Sequence, residues 1–128
     1  MRQALIGFDN SLSGSTLVVV VFESDLFFSS KIENALKKFG LECKILSVRD
    51  DLVHALHEDL QGVIVNIDAL GQECRMLQNF SNRRCFLLGY YSHVNVKAAE
   101  VARAAGVESF PRSMIISKLE GVLGRASY

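Results

Sequence analysis

The chain alternates short, wholly apolar runs with longer stretches in which apolar residues recur every three or four positions. The first run is Leu17-Val18-Val19-Val20-Val21-Phe22. An unbroken β-branched run of this length reads as a strand buried on both faces, as in a parallel sheet covered by helices. Ser24 or Asp25 can then cap a helix reaching about Phe39, with Phe28, Ile32, Ala35, Leu36 and Phe39 on one stripe and Gly40 as its stop. A second strand is predicted over residues 42–48. Asp50 or Asp51 opens a second helix carrying Val53, Leu56 and Leu60. Gly62 precedes a third strand over 63–67, and a third helix follows over about 71–80 with Met76, Leu77 and Phe80 inward. Residues 85–89 make a fourth strand. Val94, Ala98, Val101, Ala102 and Ala105 stripe a fourth helix that ends at Gly106. A short strand over 107–110 precedes a last helix starting near Ser113, with Ile115 or Ile116, Leu119, Val122 and Leu123 inward.

The order is therefore strand–helix, five times. Parallel neighbours need crossovers of about a dozen residues, and each gap supplies one. The prediction is an α/β fold: a five-stranded parallel sheet of order 2-1-3-4-5 with helices on both faces, in the flavodoxin-like manner. A closed eight-stranded barrel would need far more chain. Residues 1–15 contain the turn-rich segment Asp9-Asn10-Ser11-Leu12-Ser13-Gly14-Ser15 and are read as an arm or linker, with the domain over 16–128.

Composition narrows the function classes. The 128 residues carry 14 basic and 14 acidic side chains, so no excess charge argues for a nucleic-acid or membrane partner. Zero net charge favours self-association. Cys43, Cys74 and Cys85 form no CxxC pair and are odd in number, which suits free thiols in a reducing compartment. No apolar run is long enough to span a bilayer, and the first residues lack a signal-peptide layout, so a cytoplasmic location is expected.

The run Val101-Ala102-Arg103-Ala104-Ala105-Gly106-Val107-Glu108-Ser109-Phe110 resembles the end of the fourth helix and the fifth strand of response-regulator receiver domains, where A-x-x-A-G-A-x-x-[YF] is typical. Glu23-Ser24-Asp25-Leu26 resembles the acidic end of their first strand. Leu60-Gln61-Gly62-Val63-Ile64-Val65-Asn66 resembles their third, usually P-D-x-V-x-x-D. The resemblance covers about residues 16–124 and lies in element order more than in any intact motif. It implies a place in two-component signal transduction. It also implies a known chemistry: an aspartate at the tip of strand three takes the phosphoryl group, acids after strand one hold Mg²⁺, and a Ser or Thr after strand four and a Lys after strand five contact the phosphate.

That chemistry needs a carboxylate nucleophile, oxygen ligands for a hard cation and donors for the phosphoryl oxygens. Nearly every position is changed here. The acceptor falls on Asn66, whose neutral amide forms no acyl phosphate. Asp68 lies two residues on, on the same face if the strand extends that far. One acid, Glu23, remains of the pair after strand one, unless Asp25 reaches inward. The hydroxyl position falls on Gly89, and the lysine position on Ser113 or, with a gap, on Arg112.

Glu23, Asp25 and Asp68 are weak candidates for a Mg²⁺ or Ca²⁺ site, set against the plainer reading of a helix cap and solvated acids. His54 and His57 stand three apart beside Glu58, but the HExxH zinc motif is absent. His93 has no matching nucleophile in sequence. No glycine-rich phosphate loop occurs, which argues against nucleotide and flavin. Tyr90, Tyr91, Phe110 and Met114 are expected to form an exposed apolar contact patch. The leading expectation is a non-catalytic pseudo-receiver: a protein-interaction module with no required cofactor, a protein partner and a homodimeric state. The alternatives are a working phosphoacceptor that uses Asp68, and a small-ligand or enzymatic domain using a cleft around Asn66, Asp68 and His93.

Overall fold

The computed structural model describes residues 18–80, 85–92 and 96–126. The segment 1–15, the loop 81–84 and His93 lie outside them. The elements run β1 (Val18–Phe22), α1 (Leu26–Lys37), β2 (Glu42–Leu46), α2 (Arg49–Ala55), β3 (Gly62–Asn66), α3 (Ile67–Leu70), a 3₁₀ segment (Gly71–Leu77), β4 (Phe86–Tyr91), α4 (Val96–Ala104), β5 (Glu108–Pro111), a 3₁₀ turn (Arg112–Met114) and α5 (Ile115–Ala126). The five strands form one parallel sheet in the order β2-β1-β3-β4-β5. This is the predicted 2-1-3-4-5 arrangement.

Strand parity divides the core. Alternate side chains of a strand face opposite ways. Val20, Phe22, Val63, Val65 and Leu87 pack with Leu52, Leu70, Leu77 and Ala102, under α2, α3, the 3₁₀ segment and α4. Val19, Val21, Ile64, Leu88 and Tyr90 pack with Phe28, Ile32, Leu36, Ile115 and Leu119, under α1 and α5. Both faces are covered, which is why the strands lack polar alternation.

Boundaries moved where polar groups found local partners. Asp25 caps α1, its Oδ1 accepting from the amides of Phe27 at 2.9 Å and Phe28 at 3.3 Å. Val48 takes the cap position of α2, so Asp50 and Asp51 fall inside its first turn, where the helix dipole favours them. β3 stops at Asn66 because the Asn66 side chain accepts from the Asp68 amide at 3.0 Å and starts α3. The helix expected at 71–80 is thus two pieces: α3 begins earlier and breaks at Gly71, whose φ of 59° lies in the left-handed region, and a 3₁₀ segment follows. Leu77 and Phe80 are buried as expected, and Met76 is half-buried. β4 runs on to Tyr91, two residues past its predicted end, because it stays paired with Asn66 of β3 and Pro111 of β5. Among the described residues no helix is long and apolar enough to cross a membrane.

Candidate functional site at the carboxyl edge of the sheet

Parity brings three polar side chains to one place. Glu23 continues the row of Val19 and Val21, Asn66 the row of Ile64, and Tyr90 the row of Leu88, all on the α1/α5 face. The amide of Glu23 donates to the Leu46 carbonyl at 2.9 Å, so the β1 backbone is held one residue past Phe22. The Glu23 side chain is therefore fixed at the sheet edge, only 2% exposed.

A carboxylate so buried must be hydrogen-bonded or paired. Every group needed is present. The Tyr90 hydroxyl and the Asn66 amide nitrogen both donate to Glu23 Oε1, the latter at 3.1 Å. The backbone amide of Asp25 donates to Oε2 at 2.9 Å. The Arg112 guanidinium arrives from the turn after β5. Its Nη1 lies 3.7 Å from Glu23 Oε1, and its Nη2 donates to Asp25 Oδ2 at 2.9 Å. The guanidinium carbon stands 4.0 Å from the centre of the Phe28 ring, and that ring meets Tyr90 at 5.0 Å between centroids. Burial pushes the Tyr90 phenol well above its ordinary range, and the bond it donates to Glu23 pushes the same way.

The other predicted positions fall as follows. Asp68 does not extend the strand. It sits exposed in the first turn of α3, and its Oδ2 accepts from the Ser92 amide at 2.7 Å. Gly89 faces the opposite side from Glu23, and a Cβ there would lie 2.6 Å from Ile67 Cδ1 and 2.7 Å from Val107 Cγ1. A hydroxyl-bearing side chain fits only if Ile67 or Val107 shifts. Of the two readings of the lysine position, Arg112 is the residue that reaches the edge, while Ser113 is exposed on the 3₁₀ turn. His54 and His57 are exposed.

Two corrections follow. Tyr90 is not part of an exposed patch: it is fully buried, because β4 includes it and parity turns it inward. Tyr91 packs against the α2/α4 core and Phe110 against the α1/α5 core, so the four residues do not share one face; Met114 alone of them is largely open, at 41%. A cleft at this edge, about 550 Å³, is lined by Asp25, Phe27, Lys31, Tyr91, Arg112 and Ser113 among others; the cleft expected around Asn66, Asp68 and His93 includes a residue outside the described ones.

Among the described residues no three His, Cys, Asp or Glu side chains converge on a point that could hold a metal. Both oxygens of Glu23 accept hydrogen bonds, and the Arg112 guanidinium reaches both Glu23 and Asp25.

Sequence reasoning located Glu23, Asn66 and Arg112 but missed Tyr90 and Phe28 as members of the site. The signal was available: residues of one parity on β1, β3 and β4 share a face, and the Leu88–Tyr90 spacing repeats that of Ile64–Asn66.

Element order and sheet order give an open, doubly wound α/β domain with the receiver fold. Solved structures agree. A CheY-like response regulator receiver domain protein from Methanospirillum hungatei superposes with a TM-score of 0.66 at 11% identity, over 87% of this chain and 96% of that one. A response regulator receiver protein from Burkholderia phymatum gives 0.61 at 20%, over 85% and 96%. DrrB, an OmpR/PhoB homolog from Thermotoga maritima, gives 0.64 at 14%, over 88% of this chain and 54% of that longer one. The chain thus has the receiver fold, at a sequence distance where the fold alone is shared. No protein-family model matches the sequence, and no curated protein does.

Proposed function

We propose that this domain is a pseudo-receiver: a cytoplasmic signalling module that takes up no phosphoryl group, performs no catalysis and acts by docking to protein. The observation that carries this reading is the state of the β3 tip. Asn66 stands where an aspartate nucleophile is required, and its amide is engaged at both ends, donating to Glu23 and accepting from the Asp68 backbone. An amide oxygen attacking phosphorus yields no stable acyl phosphate. The space for a hydroxyl donor at Gly89 is taken by Ile67 and Val107. Asp68, the nearest carboxylate in sequence, is bound to the Ser92 amide on the far side of the strand end.

The direct test is incubation with acetyl phosphate and Mg²⁺ followed by intact mass measurement. The expected result is an unchanged mass. A Mg²⁺-dependent gain of one phosphate, abolished by Asp68→Asn, overturns the reading. The partner we favour is a second copy of the chain, in line with zero net charge and with Met114 standing open on the turn between β5 and α5. Light scattering that gives the monomer mass at high concentration removes the homodimer and leaves a different protein as partner.

A further inference from the structure

We propose that Arg112 is the resident cation of the carboxyl edge, paired with the acids a divalent metal would need, and that it holds this edge in one state whatever the metal concentration. The inference rests on the pseudo-receiver reading and adds the residue that makes the edge indifferent to metal.

The argument begins with Glu23. A carboxylate buried to 2% exposure at the end of β1 needs a positive partner. Asp25, two residues on, brings a second negative charge to the same edge. The guanidinium of Arg112 answers both, 2.9 Å from Asp25 Oδ2 and 3.7 Å from Glu23 Oε1. Five neutral donors share the remaining negative charge: the Tyr90 hydroxyl, the Asn66 amide and the backbone N–H groups of Asp25, Phe27 and Phe28. Arginine suits this place better than lysine for two reasons. Its planar fork reaches two acceptors at once, and its flat face lies on the Phe28 ring, 4.0 Å from the centroid. It also stays charged throughout the physiological pH range.

The consequence is mechanical. The residue comes from the turn that joins β5 to α5, so it ties that turn to the tip of β1 and to the cap of α1. A metal ion that arrives and leaves would make this tie conditional. A covalently attached cation makes it permanent. Displacing it would cost Mg²⁺ the dehydration of its own shell, and Glu23 would have to give up donors it already holds.

The test uses the whole chain and Mn²⁺ or Mg²⁺ as probe. For the unaltered protein, Mn²⁺ is expected to leave the amide signals of Asp25, Phe27 and Phe28 unbroadened, and about 10 mM Mg²⁺ to shift the melting temperature by less than about 1 °C relative to monovalent salt of equal ionic strength. Freeing the edge by combining Asn66→Asp with Arg112→Met is expected to produce selective Mn²⁺ broadening at those amides and a Mg²⁺-specific rise of about 3 °C or more. Arg112→Lys, which keeps the charge, is expected to stay indifferent. Selective broadening in the unaltered protein overturns the inference, as does a folded double variant that shows neither effect. Should the double variant not fold, the measurement on the unaltered protein still decides. Metal binding without phosphate uptake defeats this inference alone, whereas phosphate uptake defeats the functional reading beneath it.

Discussion

Gly89 has no side chain because two neighbours occupy its space. Ile67, the first residue of α3, and Val107, just before β5, both approach within 3 Å of where its Cβ would stand. This close approach, not a special backbone angle, means that any side chain here must push Ile67 or Val107 aside. Gly89→Ser, which would supply the hydroxyl a phosphate site wants, is expected to destabilise the fold by about 1–3 kcal/mol through overpacking. Urea unfolding measures it. Adding Ile67→Ala should make the combined loss smaller than the sum of the two single losses, because the cavity of one takes the excess of the other. Additive losses would show that the clash is not with Ile67.

At the scale of elements, α1 is held by its buried stripe of Phe28, Ile32, Ala35 and Leu36, and its start depends on the cap. Its first turn offers amides that need acceptors, and Asp25 supplies one oxygen to two of them while turning its other oxygen to Arg112. Leu26 and Phe27 contribute little burial, being 76% and 88% exposed, so the cap carries this end of the helix. Asp25→Ala is expected to cost about 1–2 kcal/mol in chemical denaturation. Asp25→Asn keeps an accepting oxygen and loses only a partly exposed ion pair, so it should recover most of that. Equal losses for the two variants would assign the effect to the charge rather than to the cap.

For the molecule as a whole, weak acids shielded from water lower stability at alkaline pH. Burial raises the Cys43 thiol from 9.0 to about 12, and the Tyr90 phenol is likewise raised above its ordinary 10.0. Folded, both groups keep their protons; unfolded, each loses its proton near the ordinary value. The unfolded chain thus binds fewer protons at high pH, and stability falls there. Their contribution is complete below about pH 9 and declines as pH rises toward 12 for Cys43, with Tyr90 adding to the decline from about pH 10 upward. Unfolding midpoints measured from pH 8 to 11 should show this fall, and Tyr90→Phe should flatten its upper part. In a spectrophotometric titration one of the three tyrosines should ionise only as the chain unfolds. Free titration of all three in the native protein would contradict the burial of Tyr90.

Hydrophobic periodicity is a local property, and it was enough to read five strands, their parallel order and the helices that cover both faces. That pattern ran the third strand to residue 67; only the resemblance to receiver domains put the acceptor position on Asn66, and the strand ends there. The partners of Glu23 were a different matter. Tyr90 belongs to it only because β4 continues two residues beyond its apolar run, and that continuation depends on pairing with β3 and β5. Arg112 rather than Ser113 reaches it because of how the chain turns after β5, and Asp68 is drawn away because Asn66 begins a helix instead of prolonging a strand. Apolar side chains need only some covered face, which the pattern along the chain specifies. A buried charge needs particular donors at particular distances, and those come from residues far apart in sequence, brought together only when the sheet is assembled.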